Sequence, residues 1–264
     1  MRGIITLTTD FGLRDPFVAV MKGQILRRAP DAVLVDVTHD VFAHQVAEAG
    51  FWLARIPAYF PEGTVHLAVV DPGVGTARAL VAVACAGQWF LAPDNGLLSE
   101  VMARPGATAR TIAASTFEAI GARADGATFH GRDLLAPLAA ELATGRLPFA
   151  ALGAPCRPRQ SPPLPLAHAV ADGFSGTVVT VDHFGNLVTS IEGSQLEPGC
   201  RWEAVVAGRV AERVAAYGDG PAGGLVALVN SWGLVEIAES GGSAAARLGV
   251  GRGEPVLLRR RRDG

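Results

Sequence analysis

The 264-residue sequence is poor in charge, in cysteine and in aromatic side chains. Its 23 basic and 25 acidic residues give a net charge of −2, so no bulk field attracts nucleic acid or an anionic membrane surface. The three cysteines are odd in number and far apart, which disfavours a disulfide framework and a zinc site. We therefore expect no polyanionic partner, and a core that needs neither metal nor disulfide.

Long apolar runs are also absent. No stretch approaches the 18 residues of a membrane-spanning helix, and the first residues lack the apolar core and cleavage site of a signal peptide. A cytoplasmic location is therefore expected. The 49% hydrophobic content excludes disorder caused by low hydrophobicity, and a length of 264 residues favours two domains.

The first part of the chain has the pattern of an α/β domain with a mostly parallel central sheet, because short apolar runs alternate with amphipathic stretches. Asp15 and Pro16 are predicted to cap and begin the first helix. Strands are predicted at residues 4–9, 33–37, 65–70 and 80–84, with a hairpin arm at 88–91, and further helices at 44–59 and 131–143.

A proline-rich segment predicts the domain boundary. Five prolines fall within residues 155–165, which neither a helix nor a central strand tolerates, so the domains are predicted at 1–155 and 166–264. Beyond this linker the pattern indicates a smaller all-β domain, a barrel or a sandwich. Its strands are predicted at residues 176–181, 187–191, 202–206, 225–229, 234–237 and 255–258.

Polar residues follow the predicted strands of the first domain. In an open parallel sheet, ligands bind beyond the carboxyl ends of the strands. Each such residue by itself is usually a turn former or a helix cap. Their repetition at one edge of the sheet predicts a binding site there, with candidates at Asp10, His39, Asp40, Asp71, Asp94 and Asn95.

The loop from Asp71 to Arg78 contains two glycines but lacks the spacing of a phosphate-binding loop. We expect the glycines to let Arg78 return to Asp71, either as part of a site or as a structural ion pair. His130 precedes the last helix of this domain, which Asp133 could cap. No histidine has the spacing of a metal-ligand set, so no metal site is expected.

Two polar turns interrupt the second domain. The turn at 182–186 is a hairpin, or a surface on which Phe184 and Asn186 stack against and hydrogen-bond to a heteroaromatic base. The second turn spans residues 230–233 and is followed by Glu236.

Six segments together resemble a known family, the S-adenosyl-L-methionine hydroxide adenosyltransferases, which are homologous to fluorinating and chlorinating enzymes. They are DFGLRDPFVAVMKG, FPEGTVHLAVVDPGVGT, APDNGLL, TFHGRDLLAPLAAELA, VDHFGNLVTSI and NSWGLVEIAES. The similarity runs from about residue 4 to 258. It implies an N-terminal α/β domain, a C-terminal β-barrel-like domain, and a homotrimer that binds substrate between the N-domain of one subunit and the C-domain of the next.

The resemblance also implies a reaction. Water would attack the ribose C5′ of S-adenosyl-L-methionine and release adenosine and L-methionine, without a cofactor. The sulfonium leaves as a neutral thioether, so no general acid is needed, whereas water is a weak nucleophile that must be aligned and activated. The family's hydrolytic trio falls on Asp71, Arg78 and His130.

Further site residues follow from the same resemblance. Asp10 would hold the ribose hydroxyls, Asn186 the adenine and Asp182 the methionyl ammonium. Ser231 would contact the carboxylate, near which Trp232 replaces an arginine of the halogenating relatives. Apolar or less certain contacts are implied for Phe129, Phe184 and Glu236.

Three alternative functions compete with hydrolysis as hypotheses. A halide-using adenosyltransferase is disfavoured because halogenating relatives carry tyrosine at the position of Asp71, and the fluorinating enzyme carries serine at that of Gly131; a carboxylate repels halide. A metal-dependent nucleoside hydrolase would need paired aspartates, which TTDFGLRD lacks. A non-catalytic adenosine-binding module is the remaining alternative, against which the intact trio argues.

Overall fold

The structure, a computed structural model, describes residues 3–160, 167–197 and 201–261. The chain divides into two units, Met1–Pro163 and Leu164–Gly264. Residues 161–165 of the predicted linker lie outside the described residues. Its first residues pair with the first unit: Pro155 bridges to Arg110, and the Cys156 amide donates a hydrogen bond to the Ala109 carbonyl.

The first unit contains a six-stranded sheet, in the order β2-β1-β3-β5-β4-β6. β1, β2, β3 and β5 are parallel, while β4 runs antiparallel to both β5 and β6. The predicted α/β class and hairpin arm are confirmed. The strands are β1 (Ile4–Thr9), β2 (Val33–Thr38), β3 (Val65–Val69), β4 (Leu80–Cys85), β5 (Gln88–Pro93) and β6 (Thr108–Thr111).

The helices of this unit depart from the sequence pattern, and two short ones at 99–102 and 114–119 were not predicted. The first begins one residue later than predicted, because Pro16 is the N-cap residue and makes no side-chain capping bond, so the cap predicted at Asp15 is wrong. The predicted helix at 44–59 divides into an α-helix and a 3₁₀ segment that contains Pro57. The helices are α1 (Phe17–Arg28), α2 (Val46–Leu53), α3 (Ser99–Met102), α4 (Ala114–Ala119) and α5 (Ala136–Ala143).

Both faces of the sheet are buried. Alternate residues of β4 enter opposite layers: Leu80 and Ala82 pack with one hydrophobic cluster, and Val81 and Val83 with the other. A fully buried polar group, His66 of β3, interrupts these layers. Its ring hydrogen-bonds to Thr6 and Gln88, and burial lowers the pKa of His66 to about 4. The imidazole is therefore neutral in the folded protein at neutral pH.

The second unit is a closed seven-stranded barrel, as expected for a barrel-like domain. β14 pairs with both β10 and β8, which closes the ring, and β7 pairs with β8 outside it. The short strands β7 and β11 and the helix α6 (Ala244–Leu248) were not predicted. The strands are β7 (His168–Val170), β8 (Gly173–Val181), β9 (Leu187–Glu192), β10 (Trp202–Val206), β11 (Arg209–Arg213), β12 (Leu225–Val229), β13 (Leu234–Glu239) and β14 (Pro255–Arg260).

Candidate functional site

A cavity of about 300 Å³ opens at the carboxyl edge of the first unit's sheet. Asp10 follows β1 and Asp71 follows β3, so the predicted convergence of these two carboxylates is confirmed. The opposite wall comes from the segment that precedes α5. The lining residues are Asp10, Phe11, Phe17, Ala43, His44, Val69, Asp71, Val74, Thr128, Phe129, His130 and Gly131.

Asp71 and Arg78 form a buried ion pair. Arg78 Nε lies 2.7 and 2.8 Å from the two Asp71 oxygens, and Arg78 Nη2 also donates to Asp71 Oδ2. Their side chains are only 6% and 5% exposed. The loop can fold back because Gly75 adopts a φ of 81° and lies so close to Ala127 that a Cβ would be 2.8 Å from its carbonyl oxygen. The predicted return of Arg78 to Asp71 is confirmed.

His130 joins this pair through Arg78. Its Nδ1 lies 3.2 Å from Arg78 Nη2. A guanidinium only donates hydrogen bonds, so Nδ1 accepts, and a neutral ring then carries its proton on Nε2. Burial and the Arg78 charge lower the pKa of His130, against smaller opposing effects of Asp71 and Asp133. The ring is neutral near pH 7 and presents a donor at Nε2.

The Arg78 guanidinium has a further nitrogen, Nη1, which does not bind Asp71 or His130. Arg78 Nη1 is buried and has no hydrogen-bond partner among the residues that the structure describes. A buried guanidinium donor is costly to leave unpaired, so it favours the approach of a water molecule or of developing negative charge.

The residues after His130 form a π-helical turn, Gly131–Leu135, which runs into α5. Wide turns of this kind are frequent at functional sites. Gly131 is packed so closely that a Cβ would lie 3.2 Å from Val69 Cγ1. Asp133 does not cap the helix as predicted but binds the Arg132 guanidinium, which lies over the Phe129 ring. A side chain at position 131 would require its neighbours to shift.

Asp10 is oriented by the backbone of the segment before α2. Asp10 Oδ2 accepts a hydrogen bond of 3.0 Å from the amide of His44, a non-glycine residue with a φ of 67°. Among the described residues, no donor is bonded to Asp10 Oδ1. The adjacent wall is apolar, since the Phe11, Phe17 and Phe129 rings pack edge to face. The cavity thus combines a free carboxylate oxygen with an aromatic surface.

Not every polar residue at the sheet edge lines the cavity. His39 is buried, and its ring lies between Thr9 and Asp36: Nδ1 is 2.9 Å from Thr9 Oγ1, and Nε2 faces Asp36. Its backbone carbonyl accepts a hydrogen bond from the Gly12 amide. It therefore supports the chain on both sides of Asp10. Asp40 is exposed. Sequence reasoning missed Phe11, Phe17 and His44 of the lining, although Phe11 adjoins Asp10 in the first quoted motif.

In the second unit, Asp182 organises the turn at 182–186. Its Oδ1 accepts from the amides of Phe184 and Asn186, and its Oδ2 accepts from Asn186 Nδ2. Asn186 is buried, whereas the Phe184 side chain is left 73% exposed. Asp182 thus fixes the orientation of the Asn186 amide.

Glu236 is the buried centre of the second turn. It is 3% exposed, its Oε1 accepts from the Tyr217 hydroxyl, and its Oε2 accepts from Asn230 Nδ2. Burial and the Glu236 carboxylate raise the pKa of Tyr217. Ser231 is exposed, and Trp232 donates its amide to Asn230 Oδ1. Glu236 therefore holds the loop of Tyr217 and the turn of Asn230 together.

The two turns lie at opposite ends of β9. Leu187, next to the first turn, pairs with Ile237, whereas Glu192, at the far end of β9, pairs with Leu234 beside the second turn. The register shifts between these pairs, so five residue steps along β9 face three along β13. Asp182 is hydrogen-bonded to Asn186, and its charge adds to burial and Glu236 in raising the pKa of Tyr217.

The described residues contain neither a metal-binding cluster nor a membrane-spanning helix. Within residues 3–160, 167–197 and 201–261, no three His, Cys, Asp or Glu side chains are grouped so that they could hold a metal ion. In those same ranges, no helix has the length and apolar character required to cross a bilayer.

Comparison with known families shows a match to both halves of the chain. Residues 5–153 match the model of the SAM hydroxide adenosyltransferase N-terminal domain. Residues 176–257 match the model of the corresponding C-terminal domain.

Individual relatives give the same result. The chain is 43% identical to an (R)-S-adenosyl-L-methionine hydrolase of Salinispora tropica, over 96% of this chain and 97% of the relative. It is 41% identical to the hydrolase of that name from Thermus thermophilus, over 98% and 100%. A fluorinase of Actinopolyspora mzabensis is 33% identical over 74% of each chain. A crystal structure of a conserved protein from Thermotoga maritima superimposes with a TM-score of 0.89 at 33% identity, covering 97% of this chain and 100% of that one.

Proposed function

The chain belongs to the SAM hydroxide adenosyltransferase family, and we propose from this premise that it hydrolyses S-adenosyl-L-methionine to adenosine and L-methionine. The water oxygen forms a bond to the ribose C5′ while the bond from C5′ to sulfur breaks. Sulfur keeps the electron pair and leaves as the neutral thioether of methionine, and one proton is released from the water. No acid is required at the leaving group, so catalysis depends on the nucleophile.

The observation that carries this proposal is the buried network of Asp71, Arg78 and His130 at the cavity. We assign Asp71 as the acceptor of a water proton, because it is the carboxylate of the trio that lines the cavity. The neutral His130 donates from Nε2 and orients the water oxygen. Arg78 orients Asp71 and supplies its unpaired Nη1 toward developing hydroxide. Such assistance typically contributes about 10² to 10⁴ in rate.

Substrate binding is assigned to groups outside the trio. Asp10 has one oxygen oriented by His44 and the other open to a ribose hydroxyl. The aromatic wall that includes Phe129 offers an apolar surface to the nucleoside and to the cationic sulfonium. In this assignment Asp10 contributes to substrate affinity, and Asp71 contributes to turnover.

In the second unit, Asn186 would bind adenine, with Phe184 stacking beside it, and Ser231 would bind the methionine carboxylate. Adenine and carboxylate are opposite ends of the substrate, which agrees with the separation of the two turns along β9. We assign Asp182 first to holding Asn186 and Glu236 to holding the second turn, since their oxygens are engaged there. Trp232 occupies the place of an arginine, so backbone and Ser231 groups would hold the carboxylate.

We also propose a homotrimer in which the first unit of one subunit and the second unit of the next share each substrate. Exposed apolar side chains near the candidate residues, Leu13, Phe42 and Phe184, support an interface. Mass photometry gives the oligomeric state. Asp71→Asn and Asn186→Ala subunits, mixed after dissociation, should regain part of the activity if sites are shared, whereas unshared sites would give none.

Incubation with S-adenosyl-L-methionine in ¹⁸O-water tests the reaction. Adenosine should form with the label on its 5′ oxygen, at a rate that neither chloride nor a chelator changes, since we propose that no metal takes part. A halogenated nucleoside or free adenine would instead identify one of the alternative enzyme classes. Binding without any product would identify a non-catalytic module.

We further propose that the enzyme prefers the R epimer at sulfur, the form named in the relatives' activity. Inversion at C5′ requires water, carbon and sulfur in line, so the sulfonium configuration determines which arm lies against the pocket wall. With a mixture of epimers, chiral chromatography should show the R form consumed first. Equal consumption of both would refute the preference.

A further inference from the structure

The turn after β5 carries two hydrogen bonds that none of the assigned roles explains. Asn95 Nδ2 donates to the Val70 carbonyl oxygen at 2.8 Å, and the Asp94 amide donates to the Ala79 carbonyl oxygen at 2.9 Å. Val70 immediately precedes Asp71, and Ala79 immediately follows Arg78. One turn thus contacts both ends of the loop that carries the catalytic ion pair.

The sheet order explains this arrangement. The loop from Asp71 to Arg78 connects β3 to β4, but β5 lies between these strands. Because β5 is parallel to β3 and antiparallel to β4, its carboxyl end lies level with the end of β3 and the start of β4. The loop must therefore cross over the end of β5, where the turn at 93–96 can bind it.

The Asn95 side chain is itself fixed in orientation. Its Oδ1 accepts from the Leu97 amide at 3.2 Å, which leaves Nδ2 directed to Val70. Gly96 adopts a φ of 95°, which allows this tight turn. Asn95 does not line the cavity. A rigid donor thus fixes the backbone next to Asp71 without approaching the substrate.

We propose that Asn95 is a positioning residue for hydrolysis, which holds the Asp71 and Arg78 pair at the distance from C5′ that water attack requires. The inference rests on the proposed function. A misplacement of about 1 Å remote from the chemistry can cost roughly 10² in rate. Loss of the Val70 bond should accordingly lower kcat and leave KM nearly unchanged, because Asp10 and the aromatic wall are untouched.

Two variants distinguish the effect of the hydrogen bond from Asn95 to Val70 from the effect of the Asn95 bond within the turn. Asn95→Asp keeps the acceptor for the Leu97 amide but removes the donor to Val70, and Asn95→Ala removes both. We expect kcat to fall about 10-fold to 100-fold in both variants, with KM within about threefold of the wild-type value. Asp94→Ala is the matched control in the same turn. It loses only the side-chain bond to the Arg159 amide, keeps its backbone bond to Ala79, and should retain wild-type kcat.

A second readout does not depend on turnover. The Nε–H of Arg78, bonded to Asp71, should give a resolved ¹⁵N signal that disappears in Arg78→Lys. This signal should shift or broaden in both Asn95 variants and stay in place in Asp94→Ala. An unchanged signal with unchanged kcat in Asn95→Asp, or a loss confined to KM, would overturn the proposal. If wild type forms no adenosine, the proposed function fails, and the Arg78 signal still decides whether Asn95 positions the pair.

Discussion

The two units place their candidate site residues in different ways. In the first unit, the local pair of Asp71 and Arg78 meets a residue distant in sequence, His130, 52 positions from Arg78. In the second unit, Asp182 is held by Asn186 within its own turn, and Glu236 is held by Asn230 and Tyr217. The first arrangement suits the proposed chemistry, whereas the second presents separate points for substrate contact.

Strand direction accounts for the difference. Parallel strands all end at the same edge of a sheet, so polar residues that follow them converge. Antiparallel strands end alternately at either edge, so the two polar turns lie at opposite ends of β9. The parallel sheet therefore suits the proposed chemistry, and the barrel suits the proposed recognition of an extended ligand.

The largest expected effect comes from breaking the cluster. Asp71→Asn keeps the side chain's shape but removes the charge that binds Arg78 and accepts the water proton, so kcat should fall about 10² to 10⁴-fold with little change in KM. Adenosine formation measured by chromatography gives both constants. Glu141→Gln is the control: this buried carboxylate also binds arginines, Arg28 and Arg146, but lies outside the cavity. Equal losses in both variants would contradict a chemical role for Asp71.

Acid should lower the stability of the first unit more than that of the second. Burial lowers the pKa of His66 from its ordinary value of 6.5 to about 4 in the folded state. Between these pH values only the unfolded chain binds the proton, so the unfolding free energy of the first unit should decrease by about 3 kcal/mol as pH falls from 6.5 to 4.

Hydrogen exchange followed by mass spectrometry can measure this loss in each unit. Protection should decline first in β1, β3 and β5, which surround His66, and later in the barrel. His66→Gln, which cannot titrate, should flatten the decline relative to its own value at pH 7. A parallel decline in both units would show that His66 does not cause the difference.

A smaller effect is expected in the barrel. Asp182→Ala removes the acceptor of three hydrogen bonds that orient Asn186, so KM should rise roughly tenfold, about 1.4 kcal/mol, while kcat changes little. Asp219→Ala is the control, since Asp219 also accepts a backbone hydrogen bond in a turn of this unit. A large fall in kcat would mean that the barrel takes part in the chemistry.

The smallest effect is expected at Glu236. Glu236→Gln keeps the volume of a buried group that contacts Tyr217 and Asn230, so KM should change by less than about threefold. Removal of the charge should lower the pKa of Tyr217, which ultraviolet titration can follow in a Tyr59→Phe background, since the sequence has two tyrosines. A loss of affinity as large as that of Asp182→Ala would instead assign Glu236 to direct substrate contact.

Much of the fold could be predicted from local patterns. β1, β10 and β12 have the predicted bounds, because apolar runs flanked by turn residues are local signals. β6 and β11 were missed, since each strand is short, contains charged residues and lacks alternating burial. The predicted cap at Asp15 is wrong because Pro16, which was expected at the first helical position, is the N-cap residue, and the helix begins at Phe17.

The candidate site was predictable in part for the same reason. Strand endings identified Asp10 and Asp71, and two glycines indicated the return of Arg78. The patterns could not show that His39 turns inward to support Thr9, or that His44 orients Asp10 through its backbone. Those contacts depend on neighbours that are remote in sequence.

The sequence by itself determined the α/β class, the all-β second half, the family and the identity of the polar residues, because these depend on composition, periodicity and motif order. Tertiary structure alone decided the contacts that no local pattern predicted: the approach of His130 to Arg78, which sets the His130 tautomer, and the turn of Asn95 over the end of β5. The physical reason is strand order. Placing β5 between β3 and β4 brings distant carbonyls and side chains within hydrogen-bond distance, and no local pattern encodes that order.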